Sequence, residues 1–253
     1  MFQIERQDKL LQYINKKKKA TIDQLADELG VSKVTVRRDI SAISEKGLII
    51  KTHGGVMALD SSLSHEIPFA NKSVINIEEK KRIGRLAASL IEDKDIIILD
   101  SGSTTLEVAK SVEAKEVTAL THDINIATES IHKNNINLIV SGGVLDKSVY
   151  TLTGNQTVDF YRKVHVNKTF LGCDAIDFEF GISNRTMEEV GIKRAIMDSA
   201  DEIIVVTDSS KFSRRVFFFL CDVSSINKLV IDKIKEIDKN RLEDRGVEVL
   251  IAD

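Results

Sequence analysis

With 253 residues, 36 lysines and arginines, 39 acids and a formal net charge of −3, the chain has room for one large domain or two of ordinary size and the composition of a soluble globular protein. No apolar run approaches the roughly 20 residues that a membrane helix needs, and the opening MFQIERQDK carries charge where a secretory signal requires an apolar core. The five histidines lack HxxxH or HExxH spacing, which leaves a metal site and any other cofactor unsupported, and Cys173 and Cys221 stand singly, as expected of reduced thiols in a cytoplasmic protein.

The first predicted element is a helix over Glu5–Asn15, with Leu10, Leu11 and Ile14 at helical spacing. Lys16–Lys19 interrupts the pattern, either as a solvated loop or as a contact for a phosphate backbone. Thr21-Ile22-Asp23-Gln24 is a capping box that opens the next helix, whose Ile22, Leu25, Ala26 and Leu29 bury one face. Gly30 suits the left-handed end of that helix, and Ser32 caps another two residues later. Two short helices joined by so tight a turn form a helix-turn-helix. In the second helix Val36, Ile40 and Ile43 point inward, which turns Val34, Arg38, Ser41 and Glu45 outward with Thr35 and Arg37 beside them. The arginines can fork onto guanine or clamp phosphate, or they can pair with Asp39 or Glu45. Leu48–Ile50, a turn at His53-Gly54-Gly55 and Val56-Met57 then read as a hairpin, the wing of a winged helix-turn-helix. Thr21, Ser32, Lys33, Val34, Thr35, Arg37, Arg38, Ser41, Lys51 and His53 are the candidate DNA-facing residues, with His53 equally readable as a turn histidine. Residues 1–58 hold 11 basic residues against 7 acids, a surplus of +4, while the remainder carries −7. A polyanion is therefore expected to meet only the first piece.

The run RQDKLLQYI, then TIDQLADELGVSKVTVRRDI, then EKGLIIKTHGGV resembles, without a gap from about Arg6 to Val56, the N-terminal domain of the DeoR family of bacterial transcriptional regulators.

Residues 58–76, with the single proline Pro68, read as a linker between a domain at 1–57 and another at 77–253. A helix is predicted from Ile77. Seven short apolar runs follow, at 95–100, 117–121, 136–140, 166–173, 202–208, 228–232 and 247–252, mostly separated by helical stretches. They predict a mainly parallel sheet in a Rossmann-like α/β domain. Ligands of such sheets bind beyond the C-terminal strand ends, and those ends are polar here. Asp100-Ser101-Gly102-Ser103-Thr104-Thr105 combines hydroxyls, a glycine and a helix start, either an anion nest or a capped turn. Thr121-His122-Asp123 and Ser141-Gly142-Gly143 end the next two strands, the glycine pair allowing approach of a ligand or of a neighbouring loop. Asp174 and Asp177 follow the fourth strand. Thr186–Glu189 repeats the capping-box pattern ahead of Lys193, which gives Glu189 a capping role, and Asp208-Ser209-Ser210-Lys211 closes the fifth strand.

From about Glu78 to Asp232 this half is similar to the DeoR sensor domain, whose fold is that of ribose-5-phosphate isomerase and glucosamine-6-phosphate deaminase. LDSGSTT matches the phosphate turn of those enzymes, and LGCDAID with TDSSK resembles the isomerase pattern DGADEID with VDESK. The resemblance implies that Ser101–Thr105 hold the phosphate of a sugar phosphate, with Asp174 and Lys211 near its hydroxyls. Asp100, Thr121, His122, Gly142 and Gly143 complete the candidate effector set. Ile182-Ser183-Asn184-Arg185 replaces the isomerase's lysine and glycine run, and its glutamate has no secure match around Lys193. The expectation is therefore a regulator without enzymatic turnover, a repressor of a sugar operon released by a phosphorylated sugar. The alternative is an isomerase or deaminase with an accessory DNA-binding module. The expected partners are double-stranded operator DNA, a phosphorylated sugar and further copies of the chain, as a dimer or tetramer, because helix-turn-helix proteins bind paired half-sites.

Overall fold

A computed structural model describes residues 3–45, 49–52, 54–58 and 68–253. His53 and residues 59–67 of the expected linker lie outside these. The chain divides into two compact units, Met1–Ser62 and Leu63–Asp253.

The first unit contains α1 (Gln3–Lys17), β1 (Lys19–Thr21), α2 (Ile22–Leu29), α3 (Lys33–Glu45), β2 (Ile49–Thr52) and β3 (Gly55–Ala58). The expected capping box is formed: the Gln24 amide donates to Thr21 Oγ1 at 3.2 Å, and the Thr21 amide donates to Gln24 Oε1 at 2.9 Å. Gly30 closes α2 in the left-handed region, and the Thr35 amide donates to Ser32 Oγ at 3.2 Å to start α3. Leu10, Ile14, Leu25, Val36, Ile40, Ile43 and Val56 form the core. Two features differ from the sequence reading. Helix α1 continues through Lys16 and Lys17, where lysines favour the negative end of a helix dipole. Lys19 then opens a three-residue strand, and the sheet order is β1-β3-β2, antiparallel throughout. A strand of that length leaves no periodicity to read.

The second unit is a seven-stranded parallel sheet covered on both faces. Its elements are α4 (Phe69–Lys72), α5 (Ile77–Ala88), β4 (Ile96–Leu99), α6 (Ser103–Ser111), β5 (Val117–Thr121), α7 (Ile124–Ser130), β6 (Ile136–Val140), β7 (Val144–Asp146), β8 (Thr151–Thr153), α8 (Asn155–Tyr161), β9 (Val166–Leu171), β10 (Ala175–Asp177), β11 (Gly181–Asn184), α9 (Met187–Asp198), β12 (Ala200–Thr207), β13 (Phe218–Cys221), β14 (Lys228–Ile231), α10 (Glu236–Glu243) and β15 (Glu248–Ile251). The strand order is β15-β14-β12-β9-β4-β5-β6. All seven apolar runs are its strands. Alternate residues serve two cores: Ile97, Leu99, Phe170, Ile204 and Val206 pack with α5 and α6, whereas Ile98, Leu171, Val205 and Leu229 pack with α8 and α9. Burial on both faces is why the central strands are apolar at nearly every position, whereas the edge strand β6 leaves Ile139 and Val140 partly exposed.

Residues 68–76, read as linker, belong to this unit instead. Pro68 opens α4, Asn71 is buried, and the Phe69 amide donates to the Ser148 carbonyl at 2.9 Å. The segment reads as a linker because it holds the single proline and no sustained periodicity, whereas its one lysine, Lys72, lines a cleft of this unit. Two small antiparallel sheets, β10-β11-β13 and the β7-β8 hairpin, add to the unit.

The order of strands reverses between β4 and β9. From β4 the chain proceeds outward through β5 to β6, and from β9 outward the other way through β12 and β14 to β15. Such a switch point leaves a crevice at the carboxyl ends of the two central strands, where doubly wound folds bind their ligands.

Candidate functional site

On α3 the inward stripe Val36, Ile40 and Ile43 is buried and Val34 is 72% exposed. Arg37, Arg38 and Lys33 are exposed as well, and Thr35 and Ser41 are half-buried. Asp39 is not available to the neighbouring arginines. It is buried against α1, accepting from Arg6 Nε at 2.5 Å and Gln7 Nε2 at 3.3 Å. This tie fixes α3 on α1 and leaves the guanidinium groups of Arg37 and Arg38 on the outer face. Lys33 pairs with Asp23 at 2.9 Å, and Lys51 Nζ donates to Ser41 Oγ at 3.0 Å, joining the first strand of the wing to α3. The Thr21 hydroxyl is engaged in its cap.

In the second unit a cleft occupies the switch point. Its walls include Ser101–Thr105 after β4, Gly172–Asp174 after β9, and Thr207, Asp208, Ser210 and Lys211 after β12. Lys72 of α4 and Ile75 after it, Lys80 of α5, Asn184 of β11, and Glu189 and Lys193 of α9 complete it. The start of α6 receives no side-chain cap. Gly102 at the cap position offers the first amides no side-chain partner, and the residues of this first turn line the cleft, where such amides and the helix dipole favour an anion. The Gly102 amide is an exception, donating to Asp123 Oδ2 at 3.2 Å. Ser103 and Thr105 are buried, and the Thr105 hydroxyl donates to the Gly102 carbonyl at 2.9 Å, so Thr105 shapes the turn.

Four lysines line the cleft. Lys80 is buried and donates to the Lys72 and Ile75 carbonyls. Burial pushes its ammonium down to about 8 against the opposing pull of Asp208. Lys193 is 2% exposed, bonds Asp100 and donates to the Gly172 carbonyl at 3.0 Å. Burial disfavours its charge, but Asp100, Glu189 and Asp174 together raise it above the usual lysine range. Lys72 Nζ lies 3.5 Å from Asp174 Oδ1, with Arg185 Nε at 3.8 Å. Burial alone would raise the Asp174 carboxyl, but the surrounding Lys72, Lys211, Arg185 and Lys193 bring it down to about 2. The site is thus a ring of cations around ionised carboxylates, next to a helix start.

The fold brings Ser101, Gly102, Ser103, Thr104, Thr105, Asp174 and Lys211 of the sequence-predicted set into this one cleft. The other candidates lie elsewhere. Asp100 is fully buried beneath it as the counter-ion of Lys193. Thr121 donates to the Leu99 carbonyl at 2.8 Å, within the sheet. His122 is buried with Nδ1 3.0 Å from the Tyr161 hydroxyl, and burial pulls its ring down to about 4, so it is neutral. Gly142 accepts from Thr157 Oγ1 at 2.8 Å, and a Cβ on Gly143 would stand 2.4 Å from that same oxygen. Gly143 is there for close approach to a neighbouring segment, whereas a Cβ on Gly142 would meet open space. Asp177 pairs with Arg215 at 2.8 Å, outside the cleft. Conversely, Lys72, Lys80, Asn184, Glu189 and Lys193 enter from helices and a strand far apart in sequence. Glu189 illustrates the difficulty. Thr186 Oγ1 does accept from its amide at 3.2 Å, as a cap should, yet the Glu189 carboxylate is turned to the cleft, 3.5 Å from Asn184 Nδ2. Among the described residues no cluster of metal-ligating side chains occurs, and no helix is long and apolar enough to cross a membrane. Both cysteines are free thiols that burial raises to about 12.

Comparison with known families agrees with this two-part construction. Residues 6–62 match the DeoR-like helix-turn-helix domain, and residues 75–233 match the DeoR C terminal sensor domain. The chain belongs to the DeoR family. Curated relatives match over nearly the whole length. The HTH-type transcriptional repressor GlcR of Bacillus subtilis is 32% identical over 100% of this chain and 98% of its own, and the HTH-type transcriptional regulator GolR of Listeria innocua is 30% identical over 100% of both. Among solved structures, the sorbitol operon regulator SorC of Klebsiella pneumoniae aligns over 96% of this chain and 99% of its own, at 12% identity and a TM-score of 0.43. Ribose 5-phosphate isomerase of Plasmodium falciparum aligns over 53% and 52% at a TM-score of 0.39. These structural likenesses are too distant to bear on function. As a DeoR-family member the chain is a DNA-binding transcriptional regulator and not an enzyme.

Proposed function

We propose that the protein represses a carbohydrate-uptake or carbohydrate-catabolism operon and leaves its operator when a phosphorylated sugar occupies the sensor cleft. The observation that carries this reading is the uncapped start of α6 facing four lysines at the switch point. Backbone amides, helix dipole and ammonium groups together favour a dianion, and ionised carboxylates beside them accept sugar hydroxyls. Arg38, with Val34, Thr35 and Arg37, supplies the operator-facing side of α3. Two copies of the chain or more engage paired half-sites about one helical turn apart. The effector acts by binding one arrangement of the DNA-bound assembly better than another, and it shifts their populations by that difference in affinity and no more.

The experiment is a thermal-shift screen of the full chain with phosphorylated sugars, the corresponding free sugars and inorganic phosphate, because a ligand of the native state alone raises the melting temperature. The best ligand is then titrated against operator-bound protein. Release at a concentration near its dissociation constant is expected for wild type. Release is expected to disappear in Ser103→Asp, whose carboxylate occupies the anion position, while operator affinity stays unchanged. A Ser103→Asp protein released at the wild-type concentration would place the effector elsewhere.

A further inference from the structure

The helix start and the lysines account for the anionic end of a ligand. One side chain of the cleft wall asks for something else. Asn184 is the last residue of β11, is 1% exposed through its side chain and backbone together, and lines the cleft. Its position is held on both sides, since β11 pairs with β10 through Ser183 and Ala175 and with β13 through Asn184 itself and Phe218. The amide nitrogen faces an acceptor, Glu189 Oε2 at 3.5 Å, which determines which end of the amide is which. The remaining atom, Oδ1, is buried and has no hydrogen-bond partner. Native structures leave few buried side-chain oxygens in that state, and those that occur call for a missing partner.

The chemistry of that partner is constrained. Three of the four cleft lysines are drawn to carboxylates and carbonyls: Lys72 to Asp174, Lys193 to Asp100 and the Gly172 carbonyl, Lys80 to two carbonyls of its own segment. A phosphate dianion offers only acceptors and cannot satisfy an amide oxygen. An ammonium group could donate, but four lysines already line the cleft and repel a further cation. A neutral donor remains, and a hydroxyl is the donor that fits beside the Glu189 carboxylate without adding charge.

We propose that Asn184 Oδ1 accepts a hydrogen bond from a hydroxyl group of the effector, so that the cleft selects a phosphorylated polyol over phosphate alone and over phosphorylated ligands lacking a hydroxyl at that point. The assignment rests on the reading of the cleft as a sugar-phosphate site and adds a specificity-determining residue to it. Asn184 stands in the segment where the sequence departs from the isomerase pattern, so the departure has a use in recognition.

The test is calorimetric titration of the full chain with inorganic phosphate, ribose 5-phosphate, fructose 1-phosphate, fructose 6-phosphate and glucose 6-phosphate, followed by singly deoxygenated analogues of the tightest binder. Wild type is expected to bind one sugar phosphate more tightly than inorganic phosphate. Asn184→Leu, of similar volume and without the oxygen, is expected to weaken that sugar phosphate by about tenfold and to leave inorganic phosphate within about twofold. Removing one particular hydroxyl from the ligand should cost wild type a similar factor and cost Asn184→Leu almost nothing, the non-additivity that marks a direct contact. The ligand-free melting temperature of Asn184→Leu should equal or exceed that of wild type, since an unsatisfied buried oxygen has been removed; Asn184→Ala serves the same titrations if the leucine disturbs folding. Unchanged sugar-phosphate affinity in the folded variants, or additive losses for every hydroxyl, overturns the proposal. If inorganic phosphate binds wild type as tightly as every sugar phosphate, the anion site stands and the hydroxyl contact falls. If neither inorganic phosphate nor any sugar phosphate binds, the reading of the cleft falls with it.

Discussion

Helix α3 and the sensor cleft both gather cations, and they do so in opposite ways. Arg37 and Arg38 stand exposed on a small helical unit whose adjoining acid, Asp39, is turned inward to Arg6 and Gln7. The cleft lysines are drawn inside, Lys80 at 4% and Lys193 at 2% exposure, and each is held by carbonyls or a carboxylate. A duplex is too large to enclose, so its reader keeps its charges in water and tolerates screening by salt. A small effector can be enclosed, and the cations that wait for it must be stabilised meanwhile by protein partners. DNA recognition should therefore be strongly salt-dependent and structurally inexpensive to remove, whereas the cleft cations should be tied to stability and to pH.

The largest expected effect tests the cleft side of this contrast. Lys193→Met removes the partner of the fully buried Asp100. Breaking a buried pair from one side costs about 3–5 kcal/mol, so urea unfolding should show a loss of that order. A loss below about 1 kcal/mol would mean that Asp100 is otherwise satisfied and that burial of the pair is unimportant. On the DNA side, Arg38→Ala should leave the melting temperature nearly unchanged while costing about 1–3 kcal/mol of operator affinity per half-site if the contact is to a base. If the contact is to phosphate, affinity drops on all sequences alike and the logarithmic salt slope shrinks by about one unit. Operator affinity equal to wild type in an anisotropy titration would remove Arg38 from the interface.

A pH titration separates the two regions without mutation. Lys80 has its folded value lowered to about 8 by burial, below the unfolded value, so the unfolded chain binds more protons between about 8 and 10.5. From this group stability rises as pH climbs through that window. The affinity for inorganic phosphate moves the other way, because Lys80 loses its charge: a decline of about tenfold is expected between pH 7 and 9.5. Lys80→Met should flatten the decline. An unchanged slope in the variant would show that Lys80 does not sense the anion. The smallest effect belongs to the first unit, where Thr21→Ala removes the hydroxyl half of the α2 capping box. It should lower the stability of that unit by about 1 kcal/mol, visible as an earlier first transition in calorimetry, with effector affinity unaffected.

Local chemistry and periodicity were enough, from the sequence, to place the helix-turn-helix, its capping box, its left-handed Gly30 and the outward Arg38, because each depends on residues within one helical turn. The seven strands were equally legible as short apolar runs, which burial on both faces explains for the central ones. The turn that borders the cleft could be located because a strand end, a glycine and a helix start are contiguous in Asp100–Thr105. Tertiary structure alone decided the rest. Lys72, Lys80, Asn184, Glu189 and Lys193 gather at one crevice because the strand order reverses between β4 and β9, and no local pattern records a reversal. His122, Thr121 and the Gly142-Gly143 pair occupy equivalent strand ends in sequence, yet they lie on the side of β4 away from β9 and are spent on Tyr161, the Leu99 carbonyl and Thr157. A strand end announces itself through the chemistry of its own residues, but whether it borders a ligand depends on which strand lies beside it, and that is settled by the packing of helices on both faces of the finished sheet.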